Sequence, residues 1–186
     1  MTNTFGEGGN AMNWNSPQVI QSRSTINYSY ATIEITQSRI DKGLIAVPMP
    51  LAEWFPDYNT TIQVYLDDSP VLHIKNYSSY KSATRECRIG GMAEWFEKNR
   101  IQSGDEIVIQ LIDKKSFIYR LIPEHKFILK TRELQSRFDN SENEADASDK
   151  IISLVEWTDL DKQKVVLNEY YRLTNTTPIE ERRYVS

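Results

Sequence analysis

The sequence predicts a mainly β protein: a small, partly open barrel of six or seven short strands with two short helices, followed by an extension of different character. Three observations carry that reading. Between residues 32 and 122, short stretches alternate apolar with polar side chains, and Gly, Pro, Asp and Ser separate them. Such period-two patterning between turn residues is the mark of short strands. Helical spacing is brief in that stretch, at 51–55 and at Met92, Trp95 and Phe96, too little to interleave with the strands as a doubly wound sheet requires. From His125 onward the alternation stops.

Residues 1–29, rich in Asn, Ser, Thr and Gly, read as a flexible arm. Gly6, Gly8 and Gly9 are no phosphate loop, since no Gly-Lys-Ser/Thr follows. Trp14 stands alone in this arm and is expected to dock on the domain. Residues 32–36 set Ile33 and Ile35 against Glu34 and Thr36, a half-buried strand. A polar loop is expected over 37–43 and a short apolar strand over 44–47. Pro48 and Pro50 then open a short helix over 51–55, which Pro56 stops. Ile62, Val64 and Leu66 alternate in the next strand. Asp67-Asp68-Ser69-Pro70 is a turn, and 71–74 returns as its hairpin partner. Cys87 falls on an alternating strand and is expected to be buried. Gly90-Gly91 precedes a helix over 92–98, with Met92, Trp95 and Phe96 on one core-facing side. Strands over 106–112 and 116–122 complete the barrel, which spans 30–124.

The extension, 125–186, is expected to be α/β. Residues 127–138 suit a helix. Residues 139–149 carry five acids and no base, the composition of a disordered acidic connector. Residues 151–157 read as a strand or buried segment, and 160–173 as a helix.

With 186 residues and 39% hydrophobic content, the chain suits one ordinary domain with extensions. No apolar run approaches the roughly 20 residues of a membrane span, and no signal-peptide segment is present, so no membrane partner is expected. Cys87 is the only cysteine, which excludes an internal disulfide or a cysteine-based zinc site and makes a reducing cytoplasm the default. The net charge is −4. Bases and acids balance over 30–130, so the deficit lies in residues 131–186.

Residues 75–88 gather Lys75, Lys81, Arg85 and Arg88 against Glu86, interleaved with tyrosines, serines, a threonine and an asparagine. That mixture can hold phosphates and touch base edges together. It also suits a solvated hairpin. No catalytic constellation accompanies it. His73 and His125 are far apart, no G-x-S-x-G elbow occurs, and no carboxylate pair precedes an E-x-K. No enzyme activity, metal or cofactor is expected of this chain.

Three blocks, in order, carry a family resemblance. The first is I-T-Q-S-R-I-D-K-G-L-I-A-V-P-M-P-L-A-E-W-F-P, with its strand, proline, short helix and Phe-Pro. The second is the hydroxyl-rich arm closing on Arg85, then Gly91-x-x-x-Trp95-Phe96. The third is Asn99-x-Ile101-x-x-Gly104-Asp105-Glu106-Ile107-Val108. Together they cover about half the chain and resemble the B-three pseudobarrel DNA-binding domain. Plant transcription factors carry it, and so, nearer in character to this chain, do restriction endonucleases of the BfiI, NgoAVII and EcoRII types, as their target-recognition domain.

The resemblance implies a partly open seven-stranded pseudobarrel whose two arms grip double-stranded DNA and read the major groove. The first arm maps to Gln37, Ser38, Arg39, Asp41 and Lys42. The second maps to Asn76, Tyr77, Ser79, Tyr80, Lys81, Ser82, Thr84 and Arg85. Arg39 or Arg85 would fork onto guanine, Gln37 or Asn76 onto adenine, and Asp41 would accept from cytosine N4. Lys42, Ser79, Lys81, Ser82 and Thr84 would mostly hold phosphates. Tyr80 stands where some relatives have arginine, and Met92 where plant members have tryptophan. The implied role is the specificity domain of a restriction endonuclease in a bacterial cytoplasm, with the nuclease in another domain or subunit. A transcription-factor-like DNA binder, and a protein- or ligand-binding barrel, remain as alternatives.

Overall fold

The alternating stretches become strands that curl most of the way round one core. The computed structural model describes residues 18–21, 27–82 and 86–158. Along them run β1 (Gln18–Gln21), β2 (Asn27–Glu34), α1 (Gln37–Asp41), β3 (Leu44–Val47), a 3-10 turn (Met49–Trp54), β4 (Thr60–Leu66), β5 (Leu72–Ser78) and β6 (Cys87–Gly90). α2 (Ala93–Asn99), β7 (Glu106–Asp113), β8 (Ile118–Pro123), α3 (Glu124–Asp139) and α4 (Glu144–Thr158) follow.

The sheet order is β1-β2-β7-β8-β4-β5-β6-β3. β4 and β8 pair in parallel, from Gln63 opposite Ile118 to Leu66 opposite Leu121; the other pairs are antiparallel. β2 and β3, at the two ends of the seven-stranded part, approach each other. β2 to β8 are therefore the expected nearly closed pseudobarrel, and β1 adds a strand at the β2 edge. For the described residues 18–21 and 27–29, that strand pairing corrects the reading as a flexible arm: Val19 faces Ser29 and Ile20 faces Tyr28. Two apolar residues in a polar stretch are too few to register as a period. Trp14 lies outside the described residues.

The interior is built from the residues the alternation marked. Ile33, Ile35, Ile45, Val47, Ile62, Val64, Ile89, Ile107, Ile109 and Leu121 are buried in one cluster. Met92, Trp95 and Phe96 join it, as their helical spacing required, and so does Cys87. Phe55 lies between two phenols, its ring 4.3 Å from that of Tyr119 and 5.3 Å from that of Tyr77. The Tyr119 hydroxyl donates to the Trp54 carbonyl at 2.7 Å, which fastens the 3-10 turn to β8.

A second core lies on the opposite face of β7 and β8, where Val108 and Ile122 meet Tyr30, Phe127, Leu134, Phe138, Ala147, Ile151, Leu154, Val155 and Trp157. Here the structure corrects the extension. The stretch 139–149 is not a disordered connector: it is the end of α3, a short turn and the start of α4 at Glu144. Residues 151–157, expected as a strand or buried segment, lie within that helix, with Ile151, Leu154, Val155 and Trp157 buried. In the described residues the extension is helical rather than α/β. Ala147, Ile151, Leu154 and Val155 recur at helical spacing and face inward. Asp146 and Asp149 fall in the first two turns of α4, where a helix tolerates acids. Asn143 Oδ1 accepts the backbone N–H of Asp146 at 3.0 Å, and Lys150 pairs with Asp146 at 2.6 Å. Judged alone, 139–149 lacks the apolar half of its own helix. The helix expected over 160–173 lies outside the described residues.

Where β7 meets α3, Glu106 is half-buried beside Glu124 and Thr32. Burial first, and the Glu124 charge second, hold its carboxyl above the ordinary range. A carboxyl raised by folding contributes stability while protonated and loses it as pH rises through its folded value. Glu106→Gln is therefore expected to raise the melting temperature at pH 7, with the gain shrinking towards pH 4. Thermal melts of both proteins across that range test it; a constant difference would place the effect elsewhere.

Candidate functional site

The first predicted arm is not a loop. Gln37–Asp41 form a short helix, opened by Arg39 and Ile40 N–H bonds to the Thr36 carbonyl at 2.9 and 3.1 Å. Gln37 Nε2 donates to Asp41 Oδ1 at 2.8 Å, one turn along. Ile40 packs on the barrel core and is the helix's one apolar residue, so no periodicity announced it. Gly43 ends the turn at φ +59°, its N–H bonded to the Ile40 carbonyl at 2.9 Å. Only glycine takes that conformation without strain. Its carbonyl accepts the Met92 N–H at 2.8 Å, which ties the arm to the start of α2. Gln37, Ser38, Asp41 and Lys42 are exposed, and Arg39 is half-buried. Gln37 and Asp41, assigned to different bases above, instead hold each other.

The second arm divides. Asn76 is exposed on β5, opposite Thr61, and alternation puts it on the face away from buried Tyr77. Tyr77 is no contact residue. It is 2% exposed and stacks on Phe55, and burial pushes its phenol above the usual range. Ser79 is withdrawn too. It is 1% exposed, its hydroxyl donates to the Asp57 carbonyl at 3.1 Å and accepts the Lys81 N–H at 3.2 Å. Its own N–H reaches Asn59 Oδ1 at 2.9 Å, so it shapes the turn rather than meeting a ligand. Tyr80 leans on the core, half-buried, with Lys81 Nζ 5.8 Å from its ring centre. Ser82 closes the turn through its N–H to the Ser79 carbonyl at 3.0 Å. Thr84 and Arg85 lie outside the described residues.

Lys81 pairs with Asp57 at 2.5 Å, which lowers the carboxyl and raises the amine from their ordinary values. Both are in open solvent, where such a pair contributes little. An incoming anion can therefore take the lysine over. Lys75 Nζ donates to the Gly91 carbonyl at 2.6 Å, close to where α2 starts.

Glu86, just past the second arm, links α1 to β6. Its carboxylate binds Arg39 of α1 on one oxygen. On the other it accepts Arg88 Nε at 2.8 Å and Nη2 at 2.7 Å. β3 and β6 are antiparallel, Leu44 opposite Gly90 and Val47 opposite Cys87, so α1 enters β3 at the end where β6 leaves, and the Arg39–Glu86 pair links α1 to the opposite end of this short ladder. Arg88 stands opposite Ala46 and Ser78, on the outer face, because Cys87 and Ile89 on either side of it point inward. Arg88 counts towards the positive excess over 75–88 but was not placed in an arm. Its burial-alternating neighbours were the signal that it faces outward.

Among the described residues, no group of three or more His, Cys, Asp or Glu could hold a metal ion, and no helix is long and apolar enough to cross a membrane. His73 and His125 lie on β5 and α3, with no metal-binding group around either.

No family model and no curated protein sequence matches the chain. Solved structures similar to it include the Arabidopsis FUS3–DNA complex, at TM-score 0.40 and 16% identity, over 50% of this chain and 92% of that one. The Arabidopsis thaliana transcription factor LEC2–DNA complex gives TM-score 0.40 and 18% identity, over 50% and 88%. The N-terminal domain of Helicobacter pylori LlaJI.R1 gives TM-score 0.38 and 13% identity, over 53% and 86%.

Proposed function

We propose that this chain binds double-stranded DNA and reads its sequence in the major groove with two arms, α1 with Lys42 on one side and residues 76–88 on the other. The observation that carries the reading is the pair of guanidiniums, Arg39 of the first arm and Arg88 of β6, that one carboxylate brings together. Guanidinium donors left over from Glu86 can fork onto the O6 and N7 of guanine, the commonest base-specific contact. Asn76 offers an amide for adenine. Lys42 and Lys81 sit in solvent as phosphate contacts, which fix the register without reading sequence. Thr84 and Arg85 stay in the second arm on the strength of the sequence resemblance, while Tyr77 and Ser79 leave it for the core.

By the same resemblance, the chain serves as the specificity domain of a bacterial cytoplasmic restriction endonuclease whose cutting is done by another domain or subunit. Selection from a random duplex pool tests the binding reading. One short site should be enriched, and binding should weaken steeply as salt rises. Arg39→Ala should cost about 1–3 kcal/mol at a cognate base pair and relax selection there. Lys42→Ala should weaken all sequences equally and reduce the salt slope by about 1. No duplex binding at low salt would overturn the reading and favour a protein- or ligand-binding barrel.

A further inference from the structure

We infer that Glu86 is a positioning residue for specificity, the carboxylate that sets Arg39 and Arg88 as one reading fork; this rests on the DNA-reading function proposed above. The two arginines come from separate elements, α1 and β6, 49 positions apart in numbering, and Glu86 lies immediately before β6. Each of its oxygens takes one guanidinium. Arg88 donates through both Nε and Nη2 to the single oxygen Oε2, a side-on approach that leaves its Nη1 pointing away from the carboxylate. Arg39 is held through Nη2 alone, leaving Nε and Nη1 for other acceptors. The side chains are 23%, 31% and 28% exposed for Arg39, Arg88 and Glu86, shielded enough for the geometry to persist yet open on one side.

Charge makes this inference separable from a bland role. A carboxylate inside a phosphate-binding surface repels every duplex alike. Orientation of two guanidiniums matters only when the right base edges meet them. Removing the charge while keeping the shape therefore weakens cognate binding without weakening non-cognate binding, which neither repulsion nor a purely structural role does.

The experiment is duplex binding by the full chain and by Glu86→Gln, using the site that the wild type selects and a scrambled duplex of equal length. The expected result is a cognate affinity about tenfold weaker, the loss of one good base contact, with scrambled affinity unchanged or higher and an unaltered melting temperature. The pool selected by the variant should lose preference at the base pairs that Arg39→Ala and Arg88→Ala also lose. Glu86→Asp keeps the charge but shortens the reach, so it should lose cognate affinity without gaining scrambled affinity. It also serves if Glu86→Gln folds poorly. Affinities that rise together for both duplexes, or fall together, would overturn the inference while leaving DNA reading intact. A wild type that selects no site would overturn both.

Discussion

Gly43→Val is expected to destabilise the protein by about 2–6 kcal/mol and to remove specific binding along with it. Two independent costs add at this position. Gly43 has φ +59°, a conformation that costs a β-branched residue about 1–3 kcal/mol. A Cβ there would also lie 2.9 Å from Ala93 Cβ and 3.1 Å from the Ala93 backbone nitrogen. Backbone cannot step aside as a flexible side chain can, so overpacking adds about 1–3 kcal/mol more. Either α1 or α2 must shift, and the Gly43–Met92 bond that joins them is the first casualty. Against a typical margin of about 5–15 kcal/mol, the folded population falls sharply. Urea unfolding reads the stability loss. Binding measured well below the unfolding midpoint shows whether the displaced arm still reads DNA. A variant with wild-type stability would mean that the turn relaxes into another shape.

Trp157→Ala should cost about 3–5 kcal/mol, the range for truncating a large buried aromatic. The indole packs 5.8 Å from the Phe127 ring, and its N–H donates to Thr131 Oγ1 at 3.2 Å. Lys130 Nζ lies 4.2 Å above its face. Its carbonyl and that of Thr158 accept Gln110 Nε2 at 2.8 and 2.6 Å, so the end of α4 is fastened to β7. The loss should appear as one cooperative transition at a lower midpoint, because β7 and β8 present Ile107, Ile109 and Leu121 to one core and Val108 and Ile122 to the other. Barrel and helices share those strands. Two separate transitions by fluorescence and circular dichroism would show instead that the helical layer melts alone.

The strands were legible because burial follows the same alternation that the sequence displays. β3 lies at 44–47 as expected, and Ile62, Val64 and Leu66 all point inward. Elements with little apolar content were not. α1 offers Ile40 alone, and its helix is held by Gln37–Asp41 and stopped by Gly43, which are contacts rather than a pattern. α4 was hidden because its acids and its apolar face fall in successive halves. The second core was missed for a related reason: Val108 and Ile122 belong to apolar runs, and a strand buried on both faces loses its alternation. In the site, Gln37, Ser38, Lys42, Asn76 and Lys81 are exposed, as polar residues outside an apolar alternation are expected to be. Tyr77 and Ser79 show the limit of residue chemistry as a guide. A phenol and a hydroxyl suit a nucleic-acid surface, but strand register turned one towards Phe55 and a tight turn consumed the other.

The parallel seam between β4 and β8 constrains how the chain reaches this state. β4–β5 and β7–β8 are local hairpins and can form early, whereas Gln63 must find Ile118 and Glu34 must find Glu106 across long stretches of chain. Loop closure over such separations is slow. During synthesis, β4 has no partner on its β8 side until residue 123 has left the ribosome. Until then its edge, bearing Ile62, Val64 and Leu66, stays open to other chains, as exposed strand edges in unfinished barrels do. Crowding and translation rate therefore bear on the yield of this protein.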